Sequence, residues 1–176
     1  MNTIQFVARL TLPLTMLCPC LAVAQSAPVA TPPVPAELLS AKRIFVSNAG
    51  ADSGLFPHPF SGDSSRGYSE LFAALRGLGQ YELVPSPSQA DLVLELRLVA
   101  PSGPKEASKI QGSADPMPMF RLVVYDRPSH YVLWTFTDSI EMAMKQQTHD
   151  RNFDESISTL VAEFQALTHV SRAAGQ

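Results

Sequence analysis

Residues Asp91 to Ala100 (DLVLELRLVA) constrain the fold more than any other stretch of the chain. Leu92, Leu94, Leu96 and Leu98 alternate with Val93, Glu95, Arg97 and Val99, the period of two of a half-buried strand. A row of four leucines belongs in a core, so this strand needs amphipathic partners. Two segments supply them. Tyr68, Leu71, Phe72, Leu75 and Leu78 recur at helical spacing, with Ser64 or Ser65 placed to cap the start and Gly79 to end it in a left-handed turn. Asn152 with Glu155 has capping-box spacing, and Phe153, Ile157, Leu160, Val161, Phe164 and Leu167 follow as a stripe.

Four further strands are read from β-rich runs. Lys42 to Ser47 and Gln80 to Val84 are short, the latter closed by Pro85-Ser-Pro-Ser. Met119 to Asp126 and Tyr131 to Ile140 form a hairpin across Arg127-Pro-Ser-His130. Its expected core face carries Phe120, Leu122 and Val124, joined by Val132, Trp134 and Phe136. The order is β-α-β-β-β-β-α: a single α+β domain over residues 41–170, two helices on one face of a mostly antiparallel sheet, and a tail at 171–176. Gly50 to Ser65 reads as a loop rich in Gly, Pro, Ser and Asp. Pro101 to Pro118 reads as a long disordered connection.

The first 24 residues read as a signal peptide. Arg9 is their only charge, an apolar run from Leu10 follows, and Ala22-Val23-Ala24 is a cleavage pattern before Gln25. The run is shorter than the about 20 residues of a membrane span and holds Pro13 and Pro19, so no transmembrane helix is expected in the mature chain. Both cysteines of the sequence, Cys18 and Cys20, lie inside it. Neither has the residues of a lipid-attachment site before it, which favours cleavage over a lipid anchor at Cys18 or Cys20. The mature chain would then have no thiol and rely on its core alone. Residues 25–40, rich in Pro and Ala, read as a spacer. The expected location is periplasmic or secreted.

Charge excludes one class of partner. Loss of Arg9 takes the net from −3 to −4, and no basic block is present, so nucleic acid is not expected.

Tyr81 to Arg97 (YELVPSPSQADLVLELR) runs from a strand through a polar break into Ala-Asp and a long strand. Phe120 to Ser139 (FRLVVYDRPSHYVLWTFTDS) runs from a strand ending in Asp through a turn into a strand with a Leu-Trp pair. Over about Arg43 to Leu167 the chain resembles uncharacterised secreted bacterial domains. More distantly it resembles the small periplasmic α+β domains of curli-secretion lipoproteins and of activators of penicillin-binding proteins. The resemblance implies a non-enzymatic envelope protein acting through contacts, and it carries over no catalytic residue.

The residues offer few catalytic arrangements. Gly62-Asp-Ser-Ser65 lacks the G-x-S-x-G of a nucleophile elbow and a late Asp-x-x-His, so helix capping is its expected role. A hydrolase centred on Ser64 stays as an alternative. Gly62, Arg66 and Gly67 near a helix start are a second candidate, for an anion. His58, His130, His149 and His169 are scattered, and His149-Asp150 with Asp154 is the sole local metal candidate. No cofactor or metal is expected. The outer sheet face is the candidate contact surface. Glu95, Arg97, Arg121, Tyr125 and Leu133 are its named members, among Val93, Val99, Val123, Tyr131, Thr135 and Thr137. The pairing of Glu95 with Arg97 or Arg121 is the ordinary structural reading of its charges. An envelope protein or a second copy is the expected partner. The alternative is a small-ligand or lipid-binding protein with a pocket between sheet and helices.

Overall fold

The computed structural model describes residues 33–100 and 117–174. The expected signal peptide, residues 25–32 of the spacer and the connection at 101–116 lie outside the described residues. The elements run α1 (Ala36–Ser40), β1 (Arg43–Ala51), α2 (Arg66–Leu78), β2 (Glu82–Leu83), a 3-10 turn (Pro87–Gln89), β3 (Leu92–Val99), β4 (Met119–Asp126), β5 (Val132–Ser139) and α3 (Gln146–Ala174). This is the α+β order read from the sequence, with one short helix added. The added turn falls where a spacer was expected. It is held because Leu38 is buried in the core.

One five-stranded sheet has the order β2-β1-β3-β4-β5. It is mixed: β1 is parallel to both β2 and β3, while β3, β4 and β5 are antiparallel neighbours. The parallel part follows from α2, which carries the chain from β1 back to the start of β2 as a crossover. The alternation in β3 is realised in full: Leu92, Leu94, Leu96 and Leu98 are all buried. So are Phe120, Leu122 and Val124 of β4, and Leu71 and Leu75 of α2. Phe153, Ile157, Leu160, Val161 and Phe164 of α3 complete the core at the helical spacing expected. Burying each of these side chains contributes about 1.5–3 kcal/mol.

Local chemistry differs from expectation at three points. Neither Ser64 nor Ser65 caps α2 through its side chain. Asp63 does the local work instead, its Oδ1 accepting the Ser65 N–H at 2.8 Å. At the other end Gly79 adopts φ 64° as expected. α3 begins at Gln146, six residues before Asn152, whose amide donates to the Glu141 carbonyl rather than capping. In the hairpin, Val124 pairs with Trp134 but Tyr125 pairs with Val132, so one extra residue, Leu133, sits in a bulge. The slip sends Val132 to the outer face, opposite Tyr125, where the sequence reading had put it in the core.

Two features of the frame give testable outcomes. Gly67 lets α2 approach the sheet: a Cβ there would stand 2.9 Å from Cε1 of Phe120 and 3.4 Å from Cδ2 of Leu96. Gly67→Ala gains up to about 1 kcal/mol in helix propensity. Phe120 is fully enclosed, so overpacking of about 1–3 kcal/mol outweighs that gain. The urea midpoint is expected to fall, and a rise would refute the close approach. Asp91 ties β3 to β1. Its Oδ2 accepts the N–H groups of Lys42 and Arg43 at 3.0 and 2.9 Å, and its Oδ1 accepts from the Arg43 guanidinium at 2.9 Å. The Lys42 amide first, then Arg43, hold its pKa at about 2, below the ordinary 3.8. A depressed carboxylate pKa gives stability that is present above the unfolded value and lost as pH falls through the folded one. Asp91→Asn is therefore expected to cost about 1–2 kcal/mol at pH 6. Its gap from the parent is expected to close between about pH 4 and 2 in denaturant titrations.

Candidate functional site

The loop before α2 and the start of α3 gather most of the chemistry singled out in the sequence. Arg66, at the first turn of α2, donates from Nε to Glu70 at 2.7 Å, from Nη1 to Asp150 at 2.7 Å and from Nη2 to Asp154. Its guanidinium lies 4.4 Å from the centre of the Phe153 ring. Burial pushes the Glu70 carboxyl up, an effect opposed by Arg66 and reinforced by Asp154. Burial acts the same way on Asp150. There the Ser61 N–H and the Arg66 guanidinium win, holding it at about 2.

Arg66 is thus consumed by three carboxylates and is not available to an anion. The same pairing removes Asp150 and Asp154 from a metal site with His149, whose ring contacts the carbonyls of Pro59 and Ala143. Among the described residues no group of three or more His, Cys, Asp or Glu is placed to hold a metal ion. His58 reaches Gln146 of α3 at 3.4 Å. Ser64 is exposed, and among the described residues its hydroxyl bonds neither a histidine nor a carboxylate. The gap beside it, between Gly67 and the sheet, is only about 10 Å³. No room for a ligand exists there between sheet and helix.

The outer face is open by comparison. Register places Phe45, Val93, Tyr125 and Val132 in one row across β1, β3, β4 and β5. Ser47, Glu95, Val123 and Thr135 form the next row, and Arg97, Arg121 and Thr137 a third. Of the five named candidates, four lie together here: Glu95 and Tyr125 half-buried, Arg97 and Arg121 exposed. Leu133 does not join them. As the bulge residue it packs against the core cluster, and Val132, 54 % exposed, takes the outward place.

The expected pairing of Glu95 with Arg97 or Arg121 is not made. Arg97 bonds Asp52 at 2.8 Å instead, and Asp52 also accepts the Ala100 N–H at 3.0 Å. The Arg97 bond and then the Ala100 amide hold Asp52 below the usual carboxylate range. Arg121 stands opposite Arg97, and neither it nor Glu95 has an ion-pair partner among the described residues. At the Val93–Tyr125 row lies an open depression of about 490 Å³, floored by those two residues. Pro87 and Ser88 of the 3-10 turn line one side, with Glu95, Asp126, Arg127 and His130 completing the lining. His130 holds φ 62°, the one positive φ outside glycine among the described residues. The sequence pointed to this face through its alternation. It carried no signal for the contributions of the 3-10 turn or of Asp52, which come from other elements.

No protein-family model matches the chain, and no curated protein matches it. Solved structures show likenesses to it. A protein from Xanthomonas campestris of family DUF330 is 11% identical, with a TM-score of 0.48, over 82% of this chain and 94% of its own. The PelC dodecamer from Paraburkholderia phytofirmans is 15% identical, with a TM-score of 0.40, over 78% and 94%. LpoB from E. coli is 13% identical, with a TM-score of 0.35, over 78% and 84%. These likenesses are distant and structural.

Proposed function

We propose that this chain is a non-enzymatic exported protein of the cell envelope that works by binding another envelope protein through the outer face of its sheet. The observation that carries this reading is the composition of that face. An apolar row of Phe45, Val93, Tyr125 and Val132 is followed by a half-buried Glu95 in the next row and an exposed Arg121 in the third, neither with an ion partner among the described residues. An apolar strip edged by unpaired charges is the usual make-up of a contact surface. The signal-like first 24 residues and the Pro- and Ala-rich stretch after them support delivery to the envelope. Among the described residues no helix is long and apolar enough to cross a membrane. The depression of about 490 Å³ favours a second reading, a small ligand held over Tyr125 between Glu95 and Arg127.

Site-specific photocrosslinking in the native envelope tests the first reading. A probe at Tyr125 is expected to capture one defined protein, and a probe at exposed Glu163 of α3 is not. Arg121→Glu should abolish capture while shifting stability by no more than about 0.5 kcal/mol, as an exposed substitution does. Equal capture from both probes would sink the sheet-face reading. A thermal shift with a small molecule, abolished by Tyr125→Ala, would favour the second.

A further inference from the structure

The sheet ends very differently on its two sides. At one edge β2 is two residues long, and at the other β5 offers eight. The Ile140 N–H donates to the Pro118 carbonyl at 2.7 Å. By the alternation of an antiparallel ladder, the backbone groups of Thr135, Thr137 and Ser139 therefore point away from β4. Among the described residues nothing pairs them. Edges of this length are normally blunted by Lys or Pro. β5 (VLWTFTDS) contains neither, its one charge is Asp138, and past the bulge at Leu133 its edge runs regular over 134–139.

Exposed apolar side chains gather along the same edge. The exposed large hydrophobics of the described residues are Tyr131 and Val132 at the start of β5, Met142 and Met144 just past its end, and Met117 on the lead-in to β4. The ends of the strand also differ in charge. Arg127 lies at the hairpin end, Asp138 and Glu141 at the other, and none has an ion partner among the described residues.

We propose that β5 pairs with the β5 of a second copy, antiparallel about Thr137, to form one continuous sheet of ten strands. A two-fold axis there brings the Arg127 end of each copy against the Asp138–Glu141 end of the other. The exposed Tyr131 and Val132 then face the methionines beyond the partner's strand. Thr137 meets its own copy with both backbone groups directed outward, and Thr135 meets Ser139, as an isologous contact requires. A parallel or stacked pairing would oppose like charges instead. This contact is separate from the outer face and does not rest on that reading.

The chain's single tryptophan, Trp134, sits half-buried on this edge and reports the contact directly. The full chain is expected to have dimer mass by light scattering, with tryptophan emission moving to the blue as concentration rises. Thr135→Pro removes an N–H that makes no bond within the domain, and Thr137→Lys adds a charge to the edge. Each should weaken dimerisation at least about tenfold, equivalent to about 1.4 kcal/mol. Circular dichroism and melting temperature are expected to stay near those of the parent. A monomeric parent at about 100 µM, well above the micromolar constants of ordinary weak dimers, would overturn the proposal. So would a dimer unaffected by both variants.

Discussion

The three-carboxylate grip on Arg66 is the interaction on which the rest of the arrangement depends. A single guanidinium, 17 % exposed, joins the first turn of α2 to the first turns of α3 across a span of 84 residues in sequence. Asp150, one of its partners, also accepts the Ser61 N–H at 2.9 Å and so fixes the loop between β1 and α2. Under this polar clasp lies an aromatic cluster of Phe56, Phe60, Phe120 and Phe153, with edge contacts between ring centres of 4.8 to 6.2 Å. Packing and charge thus act on the same joint. The rings set the distance between helices and sheet, and the ion pairs set which residues may face each other.

This joint also explains why the chemistry suggested by individual residues is absent from it. A basic residue at a helix start and acidic residues beside a histidine are ingredients of anion and metal sites. Here they neutralise one another. The outer face shows the reverse: Glu95 and Arg121 stand on adjacent strands yet leave each other unpaired, and Arg97 turns to Asp52 at the end of β1. A fold that satisfies its charges on one side and leaves them open on the other has a direction.

Much of the frame was legible because period-two and helical patterns follow from geometry alone. β4 spans Met119–Asp126 as read, and α2 ends at Gly79 as read. The misreadings share a different cause. The bulge at Leu133 leaves no mark in a run of β-formers, since Val, Leu, Trp and Thr suit either register. The early start of α3 depends on tertiary bonds: Gln146 donates to the Pro59 carbonyl, and Asp150 pairs with Arg66. The parallel placement of β1 rests on partners at positions 82 and 92, too far along the chain for any local pattern to reveal. Of the candidate surface, the alternation located Glu95, Arg97, Arg121 and Tyr125, and the bulge removed Leu133.

The position of β1 has a consequence for how the chain becomes ordered. Its neighbours are β2 and β3, so Ile44 finds its partners only at Leu83 and Leu92. The face it presents to the helices is covered by α2, which follows it directly, while α3 packs over β4 and β5. A chain delivered amino end first therefore carries an unpaired strand until β2 and β3 emerge, and long-range pairing of this kind closes slowly. The core is complete once α3 has added Phe153, Ile157, Leu160 and Phe164. A truncation before α3 would leave β4 and β5 without the helix that covers them.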